Sequence, residues 1–588
     1  MRGKIIIAIL ILCMIFSGCG VGDSSSAENA SSLESSILNS STTDSSAETS
    51  SEETSSEETS SAEEEVIILD DGYEGFISVD QNKLVDENGK EYYIKGIAFG
   101  NDVFGNPLFA PGTHHDEDSY RGLADMGFNS VRFYLNYRLF EYDDEPYDYR
   151  DTGFNWIDTN IKMAKKYGIR LVLNMHYPQG GYQSSGAGYD LWLEEENMKR
   201  LTALWAEIAE RYKDEPTILG YGLINEPSVV VNDHAETEEI YRKAVQGMVD
   251  AIREVNDTQM IFLEKICSVQ TVNRLGRKTW PTVTDNDNFV LVDDDNTVYE
   301  FHFYDPSEYT HQGASGGEGF VYPNESKIFE MGSSSNIASA KYEKADVKNS
   351  NWQILKTEPI VATEDNQIIN FNITTGFFKD NTTAYIDDMI LEEYDENGNL
   401  VNVLMKNGFE TESVISFWGA GRDVKSKFAL TIGNEKKGCC AVTGAKNTAT
   451  SSRNLYKATK GHSYVASIAV RLVGAQDTTI VHPLVTLLQS DDYTLLNKEY
   501  LRQRLDSVIS FAKEHNVPLY CGEFGADAEC FKNDRGGDIW VADMLDILIE
   551  EGVHFNYHAY HESMFGLYSK YPSKINEDLY KVFCDKLK

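Results

Sequence analysis

The stretch Leu219–Pro227 reads Leu-Gly-Tyr-Gly-Leu-Ile-Asn-Glu-Pro, an apolar run with two glycines that ends in two polar side chains. A buried parallel strand has this apolar composition, and polar side chains follow where it ends. Pro227 cannot donate to a strand ladder, so the strand is predicted to stop there. We therefore predict that Asn225 and Glu226 are presented at the carboxyl end of a strand.

A second strand-sized run, Val-Pro-Leu-Tyr-Cys-Gly-Glu-Phe at 517–524, leads in the same way to a carboxylate, Glu523. Glycoside hydrolysis needs two carboxyl groups, one to protonate the leaving oxygen and one to attack the sugar or to activate water. A lone glutamate of this kind is more often a solvated strand-end charge. Two of them, one preceded by Asn and the other by Gly, favour Glu226 and Glu523 as a catalytic pair.

Strand-like runs alternate with amphipathic helical stretches around these motifs, which is typical of β/α units that build a parallel sheet. The middle of the chain instead shows β-branched and aromatic alternation without a convincing helix. We predict an α/β fold, a (β/α)8 TIM barrel with an inserted β-sandwich (jelly-roll) domain. The predicted barrel strands are 94–100, 129–135, 170–176, 219–227, 260–266, 297–304, 517–523 and 552–560.

The amino terminus has the features of an export signal. A basic start precedes the apolar run 5–16, which is too short to cross a membrane stably. Residues 16–19, Phe-Ser-Gly-Cys, resemble the lipobox of bacterial lipoproteins, which implies lipidation of Cys19. A plain signal peptide with a chance cysteine is the alternative. We expect an extracellular protein, lipid-anchored to the bacterial cell surface.

The next segment consists mainly of Ser, Thr, Glu and Ala and contains no Lys or Arg, so it is predicted to be a disordered linker. The rest of the chain is longer than a single hydrophobic core usually holds, so more than one folded domain is expected. The predicted domains are a lipoprotein signal peptide (1–18), the linker (19–65), the first barrel part (66–312), the inserted carbohydrate-binding-like β-sandwich (313–488) and the second barrel part (489–588).

The net charge of the chain limits the classes of partner that it is expected to bind. With 52 Lys and Arg against 94 Asp and Glu, the formal net charge is −42. Such acidity argues against nucleic acid and anionic lipid, so membrane contact is expected through the lipid anchor only. The cysteines fit no zinc pattern, and Cys521 and Cys530 are either a disulfide or, as we favour, free buried thiols. We expect a monomer.

Polar residues recur at the predicted strand ends in the order Arg132, His176, Asn225, Glu226, His302, Tyr304 and Glu523. This order resembles glycoside hydrolase family 5, whose members are retaining β-glycanases on (β/α)8 barrels. The resemblance covers most of 83–312 and 489–588. It implies that Glu226 is the acid/base, that Glu523 is the nucleophile and that no cofactor takes part in catalysis.

The division of roles also has a physical basis. In a retaining site the carboxyls stand about 5 to 5.5 Å apart, so ionising both costs energy and one holds a proton. We expect Glu226 to be the protonated one. Arg132 and the hydroxyl of Tyr304 can hydrogen-bond to Glu523 and keep it ionised. By resemblance, Asn225 donates to the sugar 2-hydroxyl.

Other residues are candidates for substrate binding. His176 and His302 would bond to substrate or orient Glu226, although a satisfied strand-end histidine is the alternative for each. The eighth strand departs from the family pattern, because Phe-Asn-Tyr-His-Ala-Tyr-His-Glu at 555–562 contains no tryptophan. The aromatic candidates for sugar contact, for which ordinary packing is the alternative, are His558 or Tyr560 in place of that tryptophan, and Trp192 and Trp280 at further subsites.

The inserted segment is similar to β-sandwich carbohydrate-binding modules. Asn-Gly-Phe-Glu at 407–410 resembles their opening and 384–391 their closing strand, so the order indicates a circularly permuted jelly roll. A structural calcium ion could bind Glu410 with Asp387 or Asp388, since carboxylates are suitable hard ligands. Surface charges are the alternative.

The predicted function is that of a retaining endo-β-glycanase, which hydrolyses a β-1,4-linked glucan or mannan-type plant polysaccharide or oligosaccharide. An exo-acting β-glycosidase of the same family is one alternative. A non-catalytic surface glycan-binding lipoprotein is another, although such a protein has no need of both Glu226 and Glu523.

Overall fold

The computed structural model describes residues 75–103, 115–184, 186–273, 275–279, 281–283, 288–315, 320–409, 414–418, 423–570 and 572–588. Strands and helices are numbered along the chain. The strands that precede the insertion are β1 (Ser78–Asp80), β2 (Lys83–Val85), β3 (Lys95–Phe99), β4 (Ser130–Asn136), β5 (Arg170–Tyr177), β6 (Ile218–Gly222), β7 (Ser228–Val231), β8 (Met260–Glu264), β9 (Ser268–Thr271), β10 (Thr282–Val283) and β11 (Thr297–Phe303).

The strands of the insertion are β12 (Asn324–Met331), β13 (Ser335–Ser339), β14 (Gln353–Lys356), β15 (Ile360–Val361), β16 (Gln367–Gly376), β17 (Thr383–Tyr394), β18 (Leu400–Asn407), β19 (Phe417–Trp418), β20 (Lys425–Phe428), β21 (Cys440–Thr443), β22 (Ala449–Ser451), β23 (Asn454–Lys457), β24 (Ser463–Val473), β25 (Ile480–Gln489) and β26 (Tyr493–Leu496). After it come β27 (Leu519–Phe524), β28 (His554–Tyr557), β29 (Tyr568–Lys570) and β30 (Lys574–Ile575).

The helices are α1 (Glu117–Met126), α2 (Asp151–Lys166), α3 (Asp190–Leu193), α4 (Glu195–Tyr212), α5 (Thr237–Arg253), α6 (Ser307–Thr310), α7 (Gln312–Ser315), α8 (Lys498–His515), α9 (Gly537–Glu550) and α10 (Glu577–Leu587). Short 3₁₀ turns lie at Tyr137–Leu139 and His234–Glu236. None of the helices in the described part of the chain is long and apolar enough to cross a membrane.

Eight parallel strands close into a barrel in the order β3-β4-β5-β6-β8-β11-β27-β28, which confirms the predicted (β/α)8 fold. Their side chains are almost all buried, since the helices cover the barrel outside and side chains fill it inside. Leu201, Trp205 and Ile208 of α4 form one such covering stripe. The unit between β8 and β11 is irregular: its described residues form β9 and β10 but no helix.

The barrel is interrupted between β11 and β27 by an insertion made of two mainly antiparallel sheets. One is built on the order β13-β25-β16-β23-β12-β26 and the other on β14-β24-β17-β21-β20. They enclose one apolar core that includes Phe371, Ile386 and Val485. The strands occupy 324–496, somewhat later than the predicted 313–488. The permuted jelly-roll topology remains a prediction.

The insertion is attached where it leaves and re-enters the barrel. β12 and β26 pair with each other, and Phe329 of β12 packs edge-on against Tyr500 of α8 at 5.1 Å. Asn497 caps α8 by accepting from the backbone N–H of Tyr500. Because the insertion follows β11, its roots lie at the carboxyl end of the barrel strands, the same face as the predicted site.

Candidate active site

The predicted strand-end residues converge at the carboxyl end of the barrel. Arg132 lies on β4, His176 on β5, Asn225 and Glu226 just after β6, His302 on β11, Tyr304 just after it, Glu523 on β27 and His558 just after β28. A carboxyl oxygen of Glu226, one of Glu523 and an imidazole nitrogen of His302 all lie within 4.8 Å of one another. Glu226 and Glu523 therefore face the same small space.

Glu523 is held by three donors. Arg132 Nη1 donates to Oε1 at 2.7 Å, the Tyr134 hydroxyl donates to Oε1 at 2.6 Å and the Tyr304 hydroxyl donates to Oε2 at 2.8 Å. Burial raises the pKa of Glu523, but the cationic groups around it, His302 and Arg132 among them, outweigh burial and hold its pKa well below the usual range. Glu523 is thus an oriented, ionised carboxylate.

Tyr134 was not among the predicted site residues. It lies within the apolar alternation of β4, two positions after Arg132, so that both side chains point to the same face of the strand. That two-residue spacing was the available signal, because it places any residue at position 134 beside Arg132. Its hydroxyl also lies 3.0 Å from Nδ1 of His558.

Glu226 has an unusual backbone and a hydrogen-bonded carboxyl. Its φ of 44° lies in the left-handed region, which a side chain rarely adopts. Oε1 lies 3.0 Å from Nδ1 of His302, and 24% of the side chain is exposed. Burial raises the pKa of Glu226, but the hydrogen bond and charge of His302 lower it more, so the net shift is downward. We expected a proton on Glu226, whereas the lowered pKa of Glu226 favours a proton on His302 instead.

His302 is the second cation of the site. Burial lowers its pKa, but the acidic side chains around it, Glu264 and Glu523 among them, and its hydrogen bonds to Glu226 and Glu300 outweigh burial and raise the pKa well above the usual value. Its Nδ1 lies 3.5 Å from Glu264, and its Nε2 lies 3.5 Å from Glu300. An imidazolium in contact with several carboxylates is stabilised for this reason.

Glu264 and Glu300 are buried acidic residues that we did not predict as part of the site. Glu300 lies 2.8 Å from Arg132 Nη2, and Glu264 ends β8. The sequence carried a usable signal, since Met-Ile-Phe-Leu-Glu at 260–264 is also an apolar run that closes on a carboxylate. The predicted strand continues to residue 266, so the change from apolar to acidic at Glu264 does not mark its end in the sequence.

His176 and Asn225 complete the floor of the site. The His176 ring stacks on Tyr134 at 3.9 Å between centroids, and burial lowers its pKa to about 3, so it is neutral. Asn225 accepts from Arg132 Nη2 at 3.0 Å, and its amide donates to Ser184 Oγ at 3.3 Å.

Of the two candidates on the eighth strand, only His558 belongs to the polar site. Tyr560 is 2% exposed and packs against Phe99 and Tyr568 in the barrel core. The prediction that Tyr560 contacts sugar directly is therefore wrong. The apolar environment of its ring explains the difference. Trp192 donates from Nε1 to Gln183, and its ring is half-buried against the barrel core.

The remaining predicted sites are only partly visible. Trp280, Glu410 and Cys19 lie outside the described residues. Asp387 accepts from the Asn434 backbone N–H at 2.7 Å, and Asp388 accepts from its amide at 2.9 Å. The calcium site therefore remains a prediction. Cys521 and Cys530 are free thiols, and both are buried.

A closed (β/α)8 barrel with two facing glutamates at its carboxyl end has the architecture of a glycoside hydrolase. The chain belongs to the cellulase family, glycosyl hydrolase family 5, whose family model matches residues 85–385. That range includes Arg132 and Glu226 and ends inside the insertion, before Glu523.

Several relatives are similar to this chain. Endoglucanase C of Acetivibrio thermocellus is 30% identical over 202 residues, which are 34% of this chain and 54% of that protein. An endoglucanase of Paenibacillus polymyxa is 30% identical over 255 residues, 40% of this chain and 61% of that protein. The chain thus spans about half the length of the relatives it matches. The crystal structure of endoglucanase Cel5A from Thermotoga maritima covers 83% of this chain and 96% of its own at 16% identity, with a TM-score of 0.42.

Proposed function

We propose that this protein is a retaining endo-β-glucanase that hydrolyses β-1,4-linked glucan by double displacement. The observation that carries the proposal is the separation of Glu226 and Glu523, whose nearest carboxyl oxygens lie within 4.8 Å. Retaining glycosidases hold their carboxyls about 5 to 5.5 Å apart, and inverting ones about 6.5 to 9.5 Å apart. The short separation favours direct attack by one carboxylate.

In the first step Glu523 attacks the anomeric carbon. The glycosidic C–O bond breaks, the leaving oxygen takes a proton from Glu226, and an ester joins the sugar to Glu523. The low pKa of Glu523 supports this role, because the attacking group must be ionised. Arg132 and the two tyrosine hydroxyls orient it.

The proton for the leaving oxygen is carried by the Glu226–His302 pair. In the free protein the pKa of Glu226 is lowered and that of His302 is raised, which favours ionised Glu226 beside the imidazolium of His302, 3.0 Å away. A bound sugar displaces water, and a neutral pair is favoured over an ion pair as solvation is lost. The proton on Nδ1 then moves to Glu226 Oε1, which delivers it to the leaving oxygen.

In the second step Glu226, now a carboxylate, takes a proton from water while the water oxygen attacks the anomeric carbon. The ester bond to Glu523 breaks, and the proton gained by Glu226 returns to Nδ1 of His302, so that Glu226, His302 and Glu523 regain their starting states with net retention. Ester formation removes the charge of Glu523, which lowers the proton affinity of its neighbours and suits Glu226 to act as a base.

The β-1,4-glucan substrate is supported by the relatives, since both proteins compared above are named endoglucanases. We propose that Asn225 and His558 hydrogen-bond to a sugar held between the two carboxyls. Mannan-type substrates and exo action are separate outcomes of the test below.

The experiment compares wild type, Glu226→Gln and Glu523→Gln on carboxymethyl cellulose, barley glucan, glucomannan, xyloglucan and laminarin. Glu529→Gln, a partly exposed glutamate in the loop after β27, is the matched control. We expect losses of at least about 10² to 10⁴-fold in both site variants and little change in the control. The first product seen by NMR should be the β anomer, and viscosity should fall early relative to reducing ends. Unaltered turnover in Glu226→Gln, or an α-anomeric product, would reject the proposal.

We also propose that the protein is exported and anchored through a lipid on Cys19. The lipobox-like sequence at 16–19 supports this, as does the acidic linker that follows it. Mass spectrometry of the amino-terminal peptide from membrane and Cys19→Ala preparations tests it, since an unmodified cysteine in the membrane form would contradict anchoring.

A further inference from the structure

Glu264 lies behind the two proposed catalytic carboxyls. Only 1% of its side chain is exposed, against 24% for Glu226. Its Oε2 accepts from the backbone N–H of Glu226 at 2.7 Å. Its Oε1 lies 3.5 Å from Nδ1 of His302, the same nitrogen that bonds to Glu226. One buried carboxyl therefore contacts both members of the pair that carries the proton.

The hydrogen bond to Glu226 acts on a strained backbone. Glu226 has a φ of 44°, which a residue with a side chain rarely adopts, and Pro227 after it disfavours a helical conformation at Glu226. The carboxyl of Glu264 accepts a hydrogen bond from this N–H, and a buried N–H without an acceptor is costly. Glu264 thus stabilises the conformation that directs the Glu226 side chain into the cleft.

Charge balance favours a neutral Glu264. Four buried or half-buried glutamates would otherwise face two cations, Arg132 and His302, where little water reaches them. Arg132 lies 2.7 Å from Glu523 and 2.8 Å from Glu300, but 4.0 Å from Glu264. The groups that face the Glu264 carboxyl are Arg132 on β4, Glu226 after β6, Cys267 after β8, and Glu300 and His302 on β11. Tyr241 on α5 donates to the backbone carbonyl of Glu264.

Burial and the charges of its acidic neighbours support this assignment. Burial is the larger cause, and Glu300 and Glu226 add to it, so that the pKa of Glu264 rises to about 8 although His302 and Arg132 oppose the shift.

We propose that Glu264 is a positioning residue that, in its neutral form, fixes the Glu226 backbone and leaves the proton of the Glu226–His302 pair free to reach Glu226. This inference rests on the proposed function. When Glu264 releases its proton to solvent, its carboxylate attracts the imidazolium of His302, and the proton stays on Nδ1. Glu226 then remains ionised and cannot protonate the leaving oxygen. Ionisation of Glu264 therefore stops the first step.

The first test is the pH profile of Glu264→Gln on a methoxyphenyl β-cellobioside, whose leaving group needs acid assistance. Glutamine keeps an oxygen that accepts from the Glu226 N–H, and it cannot ionise. We expect kcat/KM at pH 6 within about threefold of wild type and a basic limb that moves up by about one pH unit or more. A basic limb at the wild-type pH would overturn the proposal. Glu141→Gln, another buried glutamate that accepts from Gln179 and Arg200, is the control and should keep the wild-type limb.

The second test is the leaving-group dependence of Glu264→Ala, which removes the acceptor. A dinitrophenyl leaving group needs little acid assistance, so we expect a rate within about fivefold of wild type, whereas a methoxyphenyl group should react about 100-fold more slowly. Equal losses on both substrates would indicate a merely structural role and overturn the proposal. If Glu264→Ala does not fold, the Glu264→Gln profile decides.

Failure of this inference is distinguishable from failure of the proposed function. An inactive Glu226→Gln together with an unchanged Glu264→Gln profile rejects only the role of Glu264. An active Glu226→Gln rejects the acid assignment itself, and with it the role proposed here for Glu264.

Discussion

Arg132 Nη1 lies 2.7 Å from Glu523 Oε1, although 391 positions separate the two residues in the sequence. The contact joins the second strand of the barrel to the seventh, on opposite sides of the long insertion. The guanidinium is fully buried and also lies 2.8 Å from Glu300. Its position is therefore fixed by ion pairs and by the side chains packed around it. The geometry of the proposed nucleophile therefore depends on closure of the whole barrel.

Tyr134→Phe tests whether the second donor to Glu523 matters for catalysis. The hydroxyl donates to a carboxylate at 2.6 Å, and such charge-assisted bonds contribute about 1.5 to 3 kcal/mol. Loss of the bond should raise the pKa of Glu523, lower kcat/KM by about 10- to 100-fold and move the acidic limb of the pH profile upward.

The matched control for that measurement is Tyr120→Phe. Tyr120 is a fully buried tyrosine of α1 whose hydroxyl donates to Asn160 at 2.9 Å, away from the site. It loses a hydroxyl of similar burial without touching Glu523. Equal pH profiles for the two variants would contradict the orienting role of Tyr134.

Gly522→Ala tests the close packing beneath Glu523. A Cβ at position 522 would lie 1.8 Å from Oε1 of Glu300, which must then move away from Arg132. Overpacking of this kind costs about 1 to 3 kcal/mol, and we expect both the free energy of unfolding in urea and kcat to fall.

Gly247→Ala is the matched glycine variant for the urea measurements. Gly247 lies in α5 with no atom within 4 Å of an added Cβ, so alanine should stabilise the protein by about 0.5 to 1 kcal/mol. If Gly522→Ala were as stable and active as this control, the packing explanation would be wrong.

The parts of the fold that follow from local pattern were predictable. Each barrel strand is a short apolar run, and several strands end in polar residues, which is why Arg132, Asn225 and Glu523 could be identified before their partners were known. The closed barrel then follows from the alternation of strands and helices. The unit between β8 and β11 was the exception, because its connecting segment has no helix in the described residues.

What the sequence could not provide is the pairing of buried charges. Glu264 and Glu300 are visible as residues, but their effect on His302 depends on distances across three strands. The expected proton on Glu226 was inferred from the carboxyl pair alone, without those extra charges. Tyr560 shows the same limit, since a shift of two residues along the strand end separates a site residue, His558, from a core residue.

His554→Asn tests a source of acid sensitivity remote from the site. His554 begins β28 and is buried, and its Nδ1 accepts from the Ile94 N–H at 3.2 Å. Burial lowers its pKa to about 3, whereas an unfolded histidine titrates near 6.5. Between those values the unfolded chain binds a proton that the folded chain does not. The stability contribution is therefore complete above about pH 6.5 and is lost as the pH falls, by up to about 1.4 kcal/mol per pH unit.

Asparagine keeps an oxygen near the position of Nδ1 for the Ile94 N–H but does not titrate. Urea unfolding of His554→Asn at pH 7, 6, 5 and 4 should therefore show a dependence on pH that is shallower than wild type by about 1.4 kcal/mol per unit below pH 6. His515→Asn, at the exposed end of α8, is the control for removal of an imidazole from the surface and should retain the wild-type slope. Parallel curves for wild type and His554→Asn would mean that the imidazole of His554 gains a proton without unfolding the barrel, and its burial would then not limit stability in acid.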